Sequence, residues 1–177
     1  MRDISHIIEK YTMVGNENIL KEPKRRNYNL LKIFDELNAK YFGGTICAGI
    51  TWKRMRLYRD LCVEAVACVD TRIIYINEVL DDIRFPVWYL KATIHHEMLH
   101  IYLGRQIDVD GNEQADHCNR FCSLESQYPD YEKVKAFFAS KRYYYIFECW
   151  RKYRLFKRQQ KVALSKQKQL DKVAKSS

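Results

Sequence analysis

The chain has 177 residues, 47% of them hydrophobic and 30% charged, with 31 Lys or Arg against 22 Asp or Glu and a formal net charge of +9. Such a chain is long enough for one domain with a real core, and its apolar content excludes a disordered polymer. No apolar run has the length of a transmembrane helix, and the six cysteines (47, 62, 68, 118, 122 and 149) contain no C-x-x-C pair, so no four-cysteine zinc site can be built.

In chain order, Met1 to Lys10 carries Asp3 and Glu9 among its apolar residues and lacks a signal-peptide layout. A short helix is expected over Ile4 to Tyr11, then a polar linker to Arg26. A core helix follows from Asn29 to Phe42, ended by Gly43-Gly44. Strands are expected near Ile46–Trp52, Val63–Val69 and Arg72–Ile76, with Asp70-Thr71 as the turn between the last two. A long helix starts at Pro86, which suits a first turn, and runs to Leu103. Trp88, Leu90, Ile94, Met98, Leu99, Ile101 and Leu103 make it strongly apolar, hence a core helix. A polar loop from Gly104 to Asn112 leads to a second helix over Glu113–Ser126, and another begins near Tyr131. This order implies an α+β fold, a short three-stranded sheet packed on the long helix. Residues 1–27 are read as a terminal helix and linker, 28–140 as the main domain, and 141–177 as a basic aromatic extension.

His96-Glu97-Met98-Leu99-His100 fits H-E-x-x-H. Residues four apart on a helix share one face, so both imidazoles can reach one Zn²⁺. Glu97 flanks that face, placed to take a proton from water activated there and to pass it to a leaving amine. Burying two His and a Glu on a core helix is costly unless they pair or bind a metal. His95 lies about 100° off the ligand face and is read as a surface residue or a neighbour of the ligands.

A catalytic zinc takes three protein ligands and keeps one open position. The longer pattern H-E-x-x-H-x-x-G-x-x-H fails, because Leu103 and Gln106 stand at its Gly and last His. The candidates downstream are His117, on the expected second helix, and the acidic residues Glu113 and Asp116. Asp108 and Asp110 read as solvated turn residues. Asp-Val-Asp-Gly is a poor calcium loop, since its Gly comes too early.

Several segments taken together resemble the SprT-like zinc metallopeptidases, the family that includes Spartan, over roughly residues 28 to 125. Leu30 to Ile46, with Tyr41-Phe42-Gly43-Gly44-Thr45-Ile46 at its end, is similar to the opening helix and its turn. Thr51-Trp52-Lys53-Arg54-Met55 and Ile73 to Leu80 resemble the segments that follow. Ala92-Thr93-Ile94-His95-His96-Glu97-Met98-Leu99-His100 closely matches the metal helix, and His117-Cys118-Asn119-Arg120-Phe121 is similar to "H-G-x-x-F", with Cys118 in place of Gly. The resemblance implies a small zincin-type domain holding one Zn²⁺ on His96, His100 and His117, with Glu97 catalytic. It also implies protein substrates bound or crosslinked to DNA, under control of DNA binding. Many relatives carry a C-terminal zinc ribbon. Residues 142–158 resemble its first strand and knuckle, but Cys149 has Lys152 where its partner would stand, so this stretch is expected to be a β-hairpin that has lost its metal; the alternative is a continuation of the helix that begins near Tyr131.

Residues 141–177 hold twelve Lys or Arg against Glu148 and Asp171, a net of +10, which leaves −1 for the first 140 residues. A cationic segment of this kind is the footprint of a polyanion. Aromatics from Tyr143 to Phe156 interleave with the cations, which favours single-stranded DNA, where bases stack and phosphates pair. The nucleic-acid candidates are Lys141, Arg142, Trp150, Arg151, Lys152, Arg154, Lys157 and Arg158. A substrate strand is expected to lie along Arg72–Ile76, and Tyr102 is one candidate for stabilising the oxyanion. The expected function is zinc endopeptidase activity on DNA-bound proteins, by a monomer with no membrane partner. Its expected place is intracellular, nuclear in a eukaryote and cytoplasmic otherwise. The alternatives are a general zinc endopeptidase and a catalytically silent nucleic-acid-binding protein with a structural zinc.

Overall fold

The computed structural model describes residues 26–55, 57, 63–105 and 117–176, with side chains through Asp171. The expected N-terminal helix and most of the linker lie outside these residues. Helix α1 spans Leu30–Phe42. Asn29 caps it by accepting from Lys32 N (3.0 Å), and Gly43 ends it at φ 60°, a left-handed turn that favours glycine. Strands β1 (Gly49–Lys53), β2 (Ala65–Cys68) and β3 (Ile73–Asn77) follow. A 3₁₀ turn covers Glu78–Asp81, then helix α2 covers Val87–Leu103. Helices α3 (Asn119–Glu125), α4 (Tyr131–Phe138) and α5 (Lys141–Ser176) complete the chain. The described residues are thus α+β, five α-helices with one small mixed sheet.

The sheet order is β1-β3-β2. β3 pairs in parallel with β1 and antiparallel with β2. β2 and β3 meet through a turn in which Arg72 N donates to Val69 O (3.3 Å), with Arg72 at φ 52°. The expected substrate strand, Arg72–Ile76, is therefore the central strand. Both of its edges are already paired, so it has no free ladder to offer, and the outer edges belong to β1 and β2.

One face of the sheet packs on α2, which is buried nearly all round. Ile74 and Ile76 of β3 meet Leu90, Ile94 and Met98 of α2 in a single core that α1 closes with Phe34 and Leu37. Asn38 is buried and its amide holds the loop after α1, accepting from Ile46 N (3.1 Å) and donating to Ile46 O (2.8 Å). A polar side chain is tolerated in a core when its partners are fixed in this way.

Residues 142–158 are helix, not hairpin. β-Favouring aromatics suggest a strand there, but Tyr143, Ile146, Phe147 and Trp150 recur at helical spacing and no Gly or Pro breaks them. The first three are buried in the common core, so residue 141 begins an element of that core rather than a separate module. Ser140 caps α5 by accepting from Tyr143 N (3.2 Å), which separates it from α4.

Candidate metal centre

α2 carries His96 and His100 on one face, one turn apart. His117 comes to them from the turn before α3, not from within a helix, because Cys118 is the N-cap. Cys118 has φ −65° and ψ 170°, an extended backbone open to any residue, so no glycine is needed there. His96 Nε2 lies 3.3 Å from His100 Nε2 and 3.2 Å from His117 Nε2. One lone pair on His96 cannot accept from both neighbours, so these approaches are not a hydrogen-bond network but a convergence of ligand atoms. Among the described residues these three form the cluster able to hold a metal ion. Glu113 and Asp116, the competing ligands, lie outside the described residues.

Glu125, which the sequence reading did not single out, and Phe121, the last residue of the segment similar to H-G-x-x-F, shape the centre. Glu125, the last residue of α3, places Oε1 2.6 Å from His96 Nδ1. This fixes the ring orientation and, in the neutral imidazole, leaves the Nε2 lone pair pointing at the cluster. Phe121 is 1% exposed and its ring touches all three imidazoles, with centroids 5.0, 4.5 and 4.8 Å from His96, His100 and His117. It is the apolar floor of the site. The signal was present in the sequence: Phe121 and Glu125 are four apart on the helix that follows His117, hence on one face.

Burial disfavours the charged imidazole in each case. It pulls His100 down to about 3, helped by the neighbouring His96 and His117, so its lone pair is available at neutral pH. His96 feels the same burial, but the Glu125 hydrogen bond and the carboxylates of Glu97, Glu125 and Glu64 outweigh it and leave the group raised. For Glu125, burial acts upward and the His96 hydrogen bond downward, and the net is lowered. Glu97 is buried beside the ligands on α2.

His95 is not on the surface. It is 5% exposed and sits among Tyr41, Phe42 and Tyr128, with ring centroids 5.1, 5.3 and 4.6 Å away. Burial lowers it to about 4, so it is neutral at pH 7. Tyr102 is exposed and its ring rests on Phe42 (5.4 Å). Cys118 is half-buried as a reduced thiol. Cys122 is exposed, with Sγ 3.5 Å from His117 O.

A third carboxylate lies against the first turn of α2. Glu64, just before β2, accepts from Tyr89 OH (2.8 Å) and from Tyr143 OH (2.5 Å). Burial pushes it up to about 7 against the pull of both tyrosines and of His96.

The nucleic-acid candidates separate into two groups. Trp150 donates its indole N–H to Asp82 (2.8 Å), Arg142 donates to Arg84 O (3.0 Å), Arg151 pairs with Glu148 (2.6 Å), and Arg154 donates to Met55 O and Asn77 Oδ1. Trp150, Arg142 and Arg154 help dock α5, whereas the Arg151–Glu148 pair lies within the helix. Lys141, Lys152, Lys157 and Arg158 are exposed.

No protein-family model, curated protein or solved structure matches this chain. No helix among the described residues is long and apolar enough to cross a membrane.

Proposed function

We propose that the chain is a zinc-dependent endopeptidase of the SprT-like kind, acting on proteins bound or crosslinked to DNA. The observation that carries this reading is the approach of three Nε2 atoms to 3.2 and 3.3 Å beside Glu97. Zinc bonds imidazole nitrogen at about 2.0–2.1 Å in a tetrahedron. Two tetrahedral ligands on such bonds stand about 3.3–3.4 Å apart, so the donor set has the spacing and the chemistry of zinc.

His96, His100 and His117 would hold the ion, and Glu125 keeps the His96 ring turned towards the site. A zinc ion there supplies a Lewis acid that activates water and polarises the scissile carbonyl. Glu97 takes the proton of the attacking water and returns it to the leaving amine. A structural site would need no such base. The substrate lies along the outer edge of β2. Asn77 N donates to Glu64 O (2.7 Å), so by alternation Glu64, Val66 and Cys68 face β3 while Ala65 and Ala67 turn their backbone groups outward. DNA enters through the +10 segment, whose charge is that of a phosphate-binding surface.

The deciding experiment measures zinc content and cleavage of a DNA-binding protein, with and without DNA, for the natural chain and Glu97→Gln. Cleavage that needs DNA and is lost in the zinc-loaded variant supports the reading. Cleavage indifferent to DNA removes the DNA half. One bound zinc with no cleavage under any condition removes the enzyme.

A further inference from the structure

The outer side of α5 carries an apolar stripe that nothing among the described residues covers. Tyr143, Phe147, Trp150 and Arg154 face the domain. At about 100° per residue, Tyr144, Tyr145, Leu155, Phe156, Val162 and Leu170 fall within an arc of about 120°, whose centre lies about 150° from those four. All six are between 47% and 64% exposed. From Leu155 to Asp171 every side chain is exposed. A row of this kind forfeits the stabilisation that burial gives, and a contiguous apolar patch marks a surface that meets something.

The polar residues say what that is. Lys157, Lys161 and Lys168 lie opposite the stripe, with Leu164 beside them. Lys141, Lys152 and Lys166 lie within it and Arg158 at its margin, while Glu148 on the same side is paired with Arg151 (2.6 Å). Leu155, Val162 and Ala163 line a shallow groove together with Arg158, Gln159 and Lys166. In a dry protein groove a lysine near the centre of the contact would be buried without a partner, which is costly. At a lipid surface its apolar stem lies among the acyl chains and its ammonium reaches the headgroup phosphates. A second copy is disfavoured by charge, since residues 141–177 carry +10. The same charge draws the helix to anionic lipid. The domain stands on the far side of α5, so a flat surface meets the stripe from Tyr144 to Leu170 without touching it. Tyrosines at one end suit the headgroup level.

We infer that α5 is an interfacial helix. Its outer stripe lies in the surface of an anionic membrane, with Leu155, Phe156, Val162 and Leu170 inserted and Lys152, Arg158 and Lys166 on the lipid phosphates. Lying on a membrane is a different requirement from crossing one, which no helix among the described residues meets. Along the chain the stripe is broken up by cations, so the sequence gives no reason to expect a membrane partner; the helix gathers the apolar residues on one side. The inference goes beyond the function argued above, and it stands or falls independently of peptidase activity.

The test floats the full-length chain with vesicles of phosphatidylcholine alone, and of phosphatidylcholine with an equal part of phosphatidylserine. Leu155→Gln/Val162→Gln/Leu170→Gln removes the stripe without changing charge. Gln suits a helix, and circular dichroism verifies that α5 persists. Phe156→Trp reports insertion through the emission it adds to that of the three natural tryptophans. The natural chain is expected to float with the mixed vesicles and not with phosphatidylcholine alone. The stripe variant should bind them about tenfold more weakly, or worse. The added emission should shift to the blue on the mixed vesicles and stay in place with poly-glutamate, a polyanion that has no interior. Equal binding by the stripe variant would overturn the inference, since charge alone would then hold the chain. An unshifted Phe156→Trp at saturating vesicle would do the same, because the stripe would then stay in water. Absence of vesicle binding would also sink it. In that case, stripe-dependent binding to calcium-loaded calmodulin, an acidic protein with an apolar groove, would give the stripe to a protein partner. Stripe-dependent self-association in sedimentation would give it to a second copy. Each of these outcomes leaves the metal site and its proposed chemistry untouched.

Discussion

His96 Nδ1 and a carboxylate oxygen of Glu125 stand 2.6 Å apart, although the residues come from different helices and are 29 positions apart in the chain. The contact ties the end of α3 to the middle of α2, and so ties the position of His117, just before α3, to the other two ligands. Removing it frees the His96 ring to turn and lowers its basicity. Groups of this kind change metal affinity by about 10–100-fold. Glu125→Gln is expected to weaken zinc by an amount in that range, and Glu125→Ala by at least as much, read by competition with a chromophoric chelator. Unchanged affinity in both would show that the carboxylate only packs.

Glu97 shares the helix with two ligands but is not one of the converging atoms. Glu97→Gln preserves its size and should preserve zinc stoichiometry. It removes the proton acceptor, for which losses of about 10²–10⁴ in rate are typical. Zinc per chain and turnover measured on one preparation separate the two roles. A variant that loses both would make Glu97 a ligand or a structural support.

Glu64 yields a pH signature. Burial raises it in the folded chain from an ordinary carboxylate value to about 7. Between about pH 4.5 and 7 the folded state therefore holds a proton that the unfolded state has lost, and stability falls as pH rises through that window. The full swing is about 3 kcal/mol for a shift of this size, as an upper bound. Glu64→Gln keeps an acceptor for Tyr89 and Tyr143 and removes the charge. The metal-free variant should unfold at a higher temperature than the natural chain at pH 8, with the difference vanishing near pH 4. An equal difference at both ends would locate the effect in packing.

The sequence carried the elements that rest on local rules. Asn29 and Gly43 mark the ends of α1, Pro86 the start of α2, and the turn at Asp70-Thr71 fixes the β2–β3 pairing. The spacing of His96 and His100 places both on one face, and His117 joins them as the family resemblance implies. What failed depended on partners distant in the chain. Strand order decides that β3 is central, and no local pattern encodes that. For α5, strand propensity competes with helical spacing, and the outcome depends on burial of Tyr143, Ile146 and Phe147 beside Phe85 and Phe137.

His95 shows how much one position on a helix decides. It adjoins His96, yet its ring packs against Tyr41, Phe42 and Tyr128, about 100° round α2 from His96. A ring of similar shape without nitrogen should fill that space. His95→Phe is expected to bind one metal ion with unchanged affinity. It should also remove a pH liability. Burial lowers His95 to about 4, so as pH falls from about 6.5 to 4 the unfolded chain takes a proton that the folded chain refuses, and stability drops across that window. At pH 8 the variant should lie within about 1.5 kcal/mol of the natural chain, the range for shape-conserving core swaps. At pH 5 it should be the more stable of the two. Thermal melts at the two pH values, with metal titration alongside, separate the outcomes. Loss of metal would place His95 among the groups that support the ligands. A constant offset at both pH values would mean that its imidazole is protonated alike in the folded and unfolded chain.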